Sequence, residues 1–284
     1  MNAAPDLPGL HPGSRHPIPV RRPGFDFSAD IPRHWLAGNA VATHFFNGLN
    51  LVFPDGERFF IAAVRSRLPR ITDPELRRQV QGFFGQEGRH AYEHERYFET
   101  LEAQGYRIRG YLRWFERFIR FTTRWLPAPL RLSITAGAEH YTATFGALSF
   151  EEELVERAHP TMRSLIVWHA TEEIEHKAVA FDVLQATHPS YALRVVGFAI
   201  ATLELFGWSL AATRMLLAQD LAAGRLTREE LRAARRDLRE RQRRGAARVR
   251  RRVRDYLRRD FHPNQVDDLA RARARLAELV AGVA

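Results

Sequence analysis

The stretch His169-Ala-Thr-Glu-Glu-Ile-Glu-His176 sets His169, Glu173 and His176 at i, i+4 and i+7. On an α-helix these positions form one stripe of one face. Glu and His turned inward are expensive to bury unless a cation satisfies them, and a metal ion does so well. Working outward, Gln86-Glu-Gly-Arg-His-Ala-Tyr-Glu-His94 carries a second Glu-x-x-His as Glu87 and His90. Two such helices, with one more Glu from each of two others, supply the ligands of a carboxylate-bridged two-metal site in a four-helix bundle. Glu57 and Glu139 are available for those places. The expected fold class is therefore all-α: a four-helix bundle holding a dinuclear metal site, with additional C-terminal helices.

Glu-x-x-His is a short motif. With 21 Glu and 12 His in 284 residues, chance supplies about one copy, and the chain has three. The third, Glu156 to His159, ends at a proline where a helix starts and is set aside. The other two lie deep inside long predicted helices among apolar neighbours. Glu57 follows a turn signal, where a Glu often serves only the helix N-terminus. Glu139, in Thr135-Ala-Gly-Ala-Glu-His-Tyr141, is a lone acid in a largely uncharged helix and needs a cationic partner. Order adds support. The acids run Glu, Glu-x-x-His, Glu, Glu-x-x-His, with 30 residues from Glu57 to Glu87 and 34 from Glu139 to Glu173. Two helix pairs related by a pseudo-twofold would produce that spacing, each giving a terminal carboxylate, a bridging carboxylate and an imidazole. Oxygen and imidazole donors suit iron or manganese. The chain has no cysteine, which excludes disulfides, thiolate zinc sites, iron–sulfur clusters and Cys nucleophiles.

Three parts are expected along the chain: an arm over residues 1–34, a metal-binding bundle over 35–190 and a helical extension over 191–284. The arm is rich in Pro, Gly and His and carries no apolar run of the kind a secretory signal needs. Trp35 to Asn50 reads as helix, Phe53-Pro-Asp-Gly-Glu57 as an interruption, and Asp55 as the cap of a continuation to about Arg67. Thr72-Asp-Pro-Glu75 starts a helix that Gly105 ends. Tyr111 to Trp125 is amphipathic, and Trp114, Phe115, Phe118, Phe121 and Trp125 are expected in the core. Leu130 to Phe150 forms the next helix, and His159-Pro160 opens another running to about Thr187. Tyr191 to Ala218 is apolar enough to raise a membrane helix, but Arg194 and Glu204 favour a buried packing helix, with peripheral membrane contact left open. From Thr227 a capped, Arg-rich helix continues to about Arg259, and a last helix spans Gln265 to Val280. The net charge of +10 comes almost wholly from Arg, Lys177 being the one lysine. It sits mostly in that stretch and reads as a solvated face, so nucleic acid is not the expected partner.

These residues resemble the ferritin-like proteins catalogued as predicted metal-dependent hydrolases. The resemblance runs from about Trp35 to Phe261-His-Pro263. It includes Phe53-Pro-Asp-Gly-Glu-Arg-Phe-Phe60, Gln86-Glu-Gly-Arg-His90, Ala138-Glu-His-Tyr-Thr142 and Trp168-His-Ala-Thr-Glu-Glu-Ile-Glu-His-Lys177. The ligand pattern also resembles di-iron N-oxygenases such as p-aminobenzoate N-oxygenase, which add a histidine four residues before the last site Glu, where His169 stands. That likeness implies Glu57 and His90 on one iron, Glu139, His169 and His176 on the other, and Glu87 and Glu173 bridging. His94 and His140 are the candidates to orient these ligands from behind.

The expected function is a cytoplasmic non-haem di-iron enzyme, with Mn or mixed Mn/Fe as variants and a homo-oligomeric state. It would use O2 and an electron donor to oxidise a small-molecule substrate. The alternative is a dinuclear metal-dependent hydrolase. A third reading is a non-catalytic helical protein that binds an acidic partner through its Arg-rich helix.

Overall fold

The computed structural model describes residues 16–28, 30–150 and 153–281. Among them the chain is helical, with one isolated bridge between Leu36 and Ala158 and no strand. Helix α1, Ala40–Arg65, starts where the Asn39 side chain accepts from the Ala42 amide. It runs straight through Pro54, so the expected interruption is absent and Asp55 caps nothing; Asp55 pairs with Arg58 at 3.1 Å instead. An interior proline costs a hydrogen bond and a clash, together about 3 kcal/mol. Leu49, Leu51 and Val52 are buried before it and Phe59, Ala63 and Val64 after it. Each such burial is worth roughly 1.5–3 kcal/mol for the larger side chains, which outweighs the proline.

Helix α2, Pro74–Ala103, begins where sequence places it: Asp73 accepts from the Glu75 and Leu76 amides, and Gly105 follows the end at φ +85°. Next come α3, Arg109–Trp125, α4, Ala128–Ser149, and the short α5, Glu153–Glu156. The single helix expected from Pro160 to Thr187 is two, α6, Pro160–His176, and α7, Val179–Thr187. The break falls at Lys177, whose buried ammonium donates to the Val266 carbonyl at 2.7 Å and pairs with Asp268. The chain continues with α8, Tyr191–Ala222, then α9, Arg228–Tyr256, opened by a reciprocal Thr227–Glu230 capping box, and α10, Leu269–Ala281.

Helices α1 and α2 pack as one pair and α4 and α6 as another, and the pairs meet through α1 with α4 and α2 with α6. Helix α8 lies against both α4 and α1. Its approach to α1 is close enough that a Cβ on Gly48 would stand 2.5 Å from the Ser209 carbonyl oxygen, so only glycine fits. Along α2 the sequence passes from Val80 and Phe83 in one apolar cluster, through Glu87 and His90, to Tyr97 and Phe98 in another. The polar residues thus form a layer between two apolar clusters.

Two expectations need correction. On α3, Phe115 is buried, but Trp114, Phe121 and Trp125 face outward, because the inner stripe of Tyr111, Phe115 and Phe118 is the one seated on Trp208 of α8. Helix α8 is buried along one stripe only, including Phe198, Ala201, Ala212 and Leu216, and its opposite face is bare. It is the one helix among the described residues long and apolar enough to cross a membrane. Of the expected N-terminal arm, residues 1–15 lie outside the described residues. From His16 the chain lies along α2, with Ile18 over Gly82 and Val20 over Gly85.

Candidate metal centre

Each of four helices directs one carboxylate into the polar layer: Glu57 from α1, Glu87 from α2, Glu139 from α4 and Glu173 from α6, all buried. His90 follows Glu87 by three residues and His176 follows Glu173 by three, so each imidazole shares a face with its acid. His176 Nε2 lies 3.0 Å from Glu87 Oε1, 3.2 Å from Glu139 Oε2 and 3.6 Å from Glu173 Oε2. His90 Nδ1 lies 3.5 Å from Glu173 Oε1. Glu57, Glu87 and His90 have donor atoms within 4.8 Å of one another, as do Glu87, Glu139 and His176. Glu87 belongs to both groups. The structure therefore brings together five of the expected residues as two three-residue sets that share Glu87, with a sixth, Glu173, lying against both imidazoles.

The electrostatics of this layer call for cations. Both oxygens of Glu57, Glu87 and Glu139, one of Glu173, His90 Nδ1 and His176 Nε2 are buried without an aligned hydrogen-bond partner. An uncompensated buried ion costs several kcal/mol. Protonation shifts show the same stress. Burial, with the neighbouring carboxylates, pushes Glu57 well above the usual carboxylate range and Glu139 to about 8. Burial also raises Glu87, against the pull of His176. Glu173 goes the other way: burial opposes it, but His176, His169 and His90 together hold its carboxyl low. Burial works against protonated His90 and His176 too, yet the Glu172 hydrogen bond and the nearby Glu173 carboxylate raise His90 to about 10, and Glu139 and Glu173 raise His176. Two divalent cations would balance four carboxylate charges and meet the orphaned atoms, so the donor set fits a dinuclear metal site.

The imidazoles are also oriented for ligation. A histidine ligand usually fixes its tautomer by donating its other N–H outward. His176 Nδ1 lies 2.9 Å from Gln86 Oε1, and His90 Nε2 lies 3.1 Å from Glu172 Oε2, leaving His176 Nε2 and His90 Nδ1 toward the carboxylates. These outer partners are braced in turn. Trp168 Nε1 donates to Glu172 at 3.0 Å, Gln86 Nε2 to Glu175 at 3.0 Å, and Arg21 reaches Glu172 at 3.1 Å and Glu175 at 2.7 Å. Sequence reasoning missed Gln86, Glu172, Glu175 and Arg21. The signal was present in the two quoted motifs, where Gln86 and Glu172 adjoin the ligands, but neighbours on a helix point about 100° apart and were left unassigned.

His169 belongs to the layer but not on the side expected. Its Nε2 is 2.9 Å from Glu173 Oε1, its ring stacks on His90 at 4.1 Å, and its donor atoms group with Glu57 and His94, and with His90 and Glu173. No group joins it to Glu139 and His176 among the described residues. The seven residues to His176 span about 10 Å along α6, which separates the two imidazoles. His94 does stand behind His169, Nε2 to Nδ1 at 2.6 Å, and burial lowers both rings, His169 to about 4. His140 does not reach the layer. One position from Glu139, it turns to α9, where its Nε2 meets the Arg252 carbonyl at 2.9 Å beside Tyr256.

A cavity of about 780 Å³ adjoins the layer. His94, His169 and Glu173 form one end, and apolar side chains such as Phe45, Phe145, Leu165 and Phe206 form most of its wall.

A family model described as predicted metal-dependent hydrolase matches residues 19–267. No curated protein and no solved structure matches the chain.

If Gln86 orients His176 for ligation, Gln86→Leu lowers metal affinity by about 10–100-fold while leaving helicity intact. Competition against a chelator measures this; unchanged affinity would show that the contact is only structural.

Proposed function

The chain belongs to the family of predicted metal-dependent hydrolases, and from that premise we propose a dinuclear, carboxylate-bridged metalloenzyme that oxidises an organic substrate with dioxygen. Iron is the proposed metal, with manganese as the substitute its donor set would accept. Glu57 and His90 would hold one ion and Glu139 and His176 the other, with Glu87 and Glu173 shared, in a ferritin-like arrangement. The observation that carries this reading is the buried layer of four carboxylates and two inward-facing imidazoles beside an apolar cavity.

When bound, iron supplies dioxygen activation and takes electrons from a donor. The chain's own groups set the conditions. For His169 to offer the Nε2 lone pair, its proton must sit on Nδ1 and be donated to His94 Nε2, 2.6 Å away. Burial keeps His94 neutral and therefore able to accept. Gln86 and Glu172 hold His176 and His90 in the tautomers that face inward. Phe53 packs on both His94 and His169, at 4.9 and 4.7 Å, and with the apolar wall excludes water from the side where substrate would sit.

The family description favours a second reading, in which two metals activate water for hydrolysis. The cavity beside the layer is walled mainly by apolar side chains and Phe53 packs on His94 and His169, which favours oxygen chemistry over the activation of water. Iron-loaded, reduced protein exposed to air should take up oxygen and develop near-ultraviolet or visible absorption, and Glu173→Ala should abolish both. A colourless sample with no oxygen uptake that cleaves ester or phosphoester panels without reductant would replace the oxygenase reading with the hydrolytic one.

A further inference from the structure

Two groups of charged residues line the cavity. One is the metal layer, through His94, His169 and Glu173. The other is on α9, which lines the cavity with Leu238, Gly245, Ala246 and Val249 and with Arg241, paired to Asp237, and Arg235, Arg239 and Arg250. Arg235, Arg239 and Arg250 are exposed and have no ion-pair partner among the described residues. A guanidinium fork matches carboxylate or phosphate geometry. We infer that the substrate of this site joins an apolar chain to one anionic head, the head held by the α9 arginines and the chain directed toward His169 and Glu173. A volume of about 780 Å³ is ample for such a molecule.

This inference rests on the proposed metalloenzyme for its use, but binding is measurable without turnover. Calorimetry on the full chain, metal-free and iron-loaded, would compare hexadecanoate, hexadecyl phosphate and hexadecanol. The anionic probes should bind at least tenfold more tightly than the alcohol, with the better of the two identifying the head group. The triple variant Arg235→Gln, Arg239→Gln, Arg250→Gln should lose that preference. An equal preference in the variant, or no binding of either anion, overturns the inference. Oxygen uptake is scored separately: anion binding without uptake sinks the oxygenase reading alone, and uptake without anion binding sinks the substrate class alone.

A separate surface supports a second proposal. On α3, Trp114, Phe121 and Trp125 are 67%, 61% and 64% exposed, and Arg113, Arg117, Arg120 and Arg124 form a parallel exposed stripe. The helix carries five arginines against one glutamate. Aromatic rings beside cationic groups suit the headgroup region of an anionic bilayer, which attracts Arg near its surface. The geometry points to an anionic membrane surface as the occupant of the exposed face of α3.

Vesicle sedimentation of the full chain tests this. Binding should be strong to vesicles containing phosphatidylglycerol, weak to pure phosphatidylcholine, and reduced at least tenfold by Trp114→Ser, Phe121→Ser, Trp125→Ser, with helicity and metal content unchanged. Equal sedimentation of both proteins overturns it. So does a concentration-dependent dimer that the triple variant abolishes, since the occupant is then a second copy.

Discussion

The structure depends on one electrostatic constraint: four carboxylates converge in a buried layer with too few donors to neutralise them. Without a cation the layer holds protons instead, as the raised pKa values of Glu57 and Glu139 and of His90 and His176 attest. Cations resolve the conflict, and a charged layer placed between two apolar clusters requires the helices to be pinned around it. Much of the rest reads as support. Pro54 is tolerated inside α1 because apolar burial on both sides of it holds the helix through to Glu57. Arg21 and Arg273 neutralise Glu175, which in turn positions Gln86 behind His176.

The helical class and the convergence of Glu57, Glu87, His90, Glu139, Glu173 and His176 were legible in the sequence. Glu-x-x-His repeats at i and i+3, and their order along the chain, encode shared faces directly. What was not legible depends on rotation and on distant partners. His169 and His176 sit on one stripe, yet their separation along α6 puts His169 beside His90 rather than Glu139. His140 follows Glu139 immediately and turns to α9 for the same helical reason. The outward aromatics of α3 could not be told from core aromatics by period, since the helix has two apolar stripes and only packing on Trp208 chooses between them. The partners of Glu172 and Glu175 come from Arg21 and Arg273, more than 90 residues away, and local pattern cannot foresee them.

The site and its surroundings form a consistent sequence of environments. The charged layer adjoins an apolar cavity, α9 lines that cavity too, and α8 forms part of its wall while baring its other face. The Arg-rich character of α9 is therefore more than a solvated charge run, because four of its arginines line the cavity that Glu173 also lines.

Anaerobic titration with Fe(II), followed by removal of free metal and iron analysis, tests the central claim most directly. The chain should retain about two irons, as a shared-carboxylate site demands. Glu87→Ala, which removes a carboxylate common to both ions, should retain well below that number. Saturation at one iron or fewer, or unchanged occupancy in Glu87→Ala, would contradict the dinuclear account.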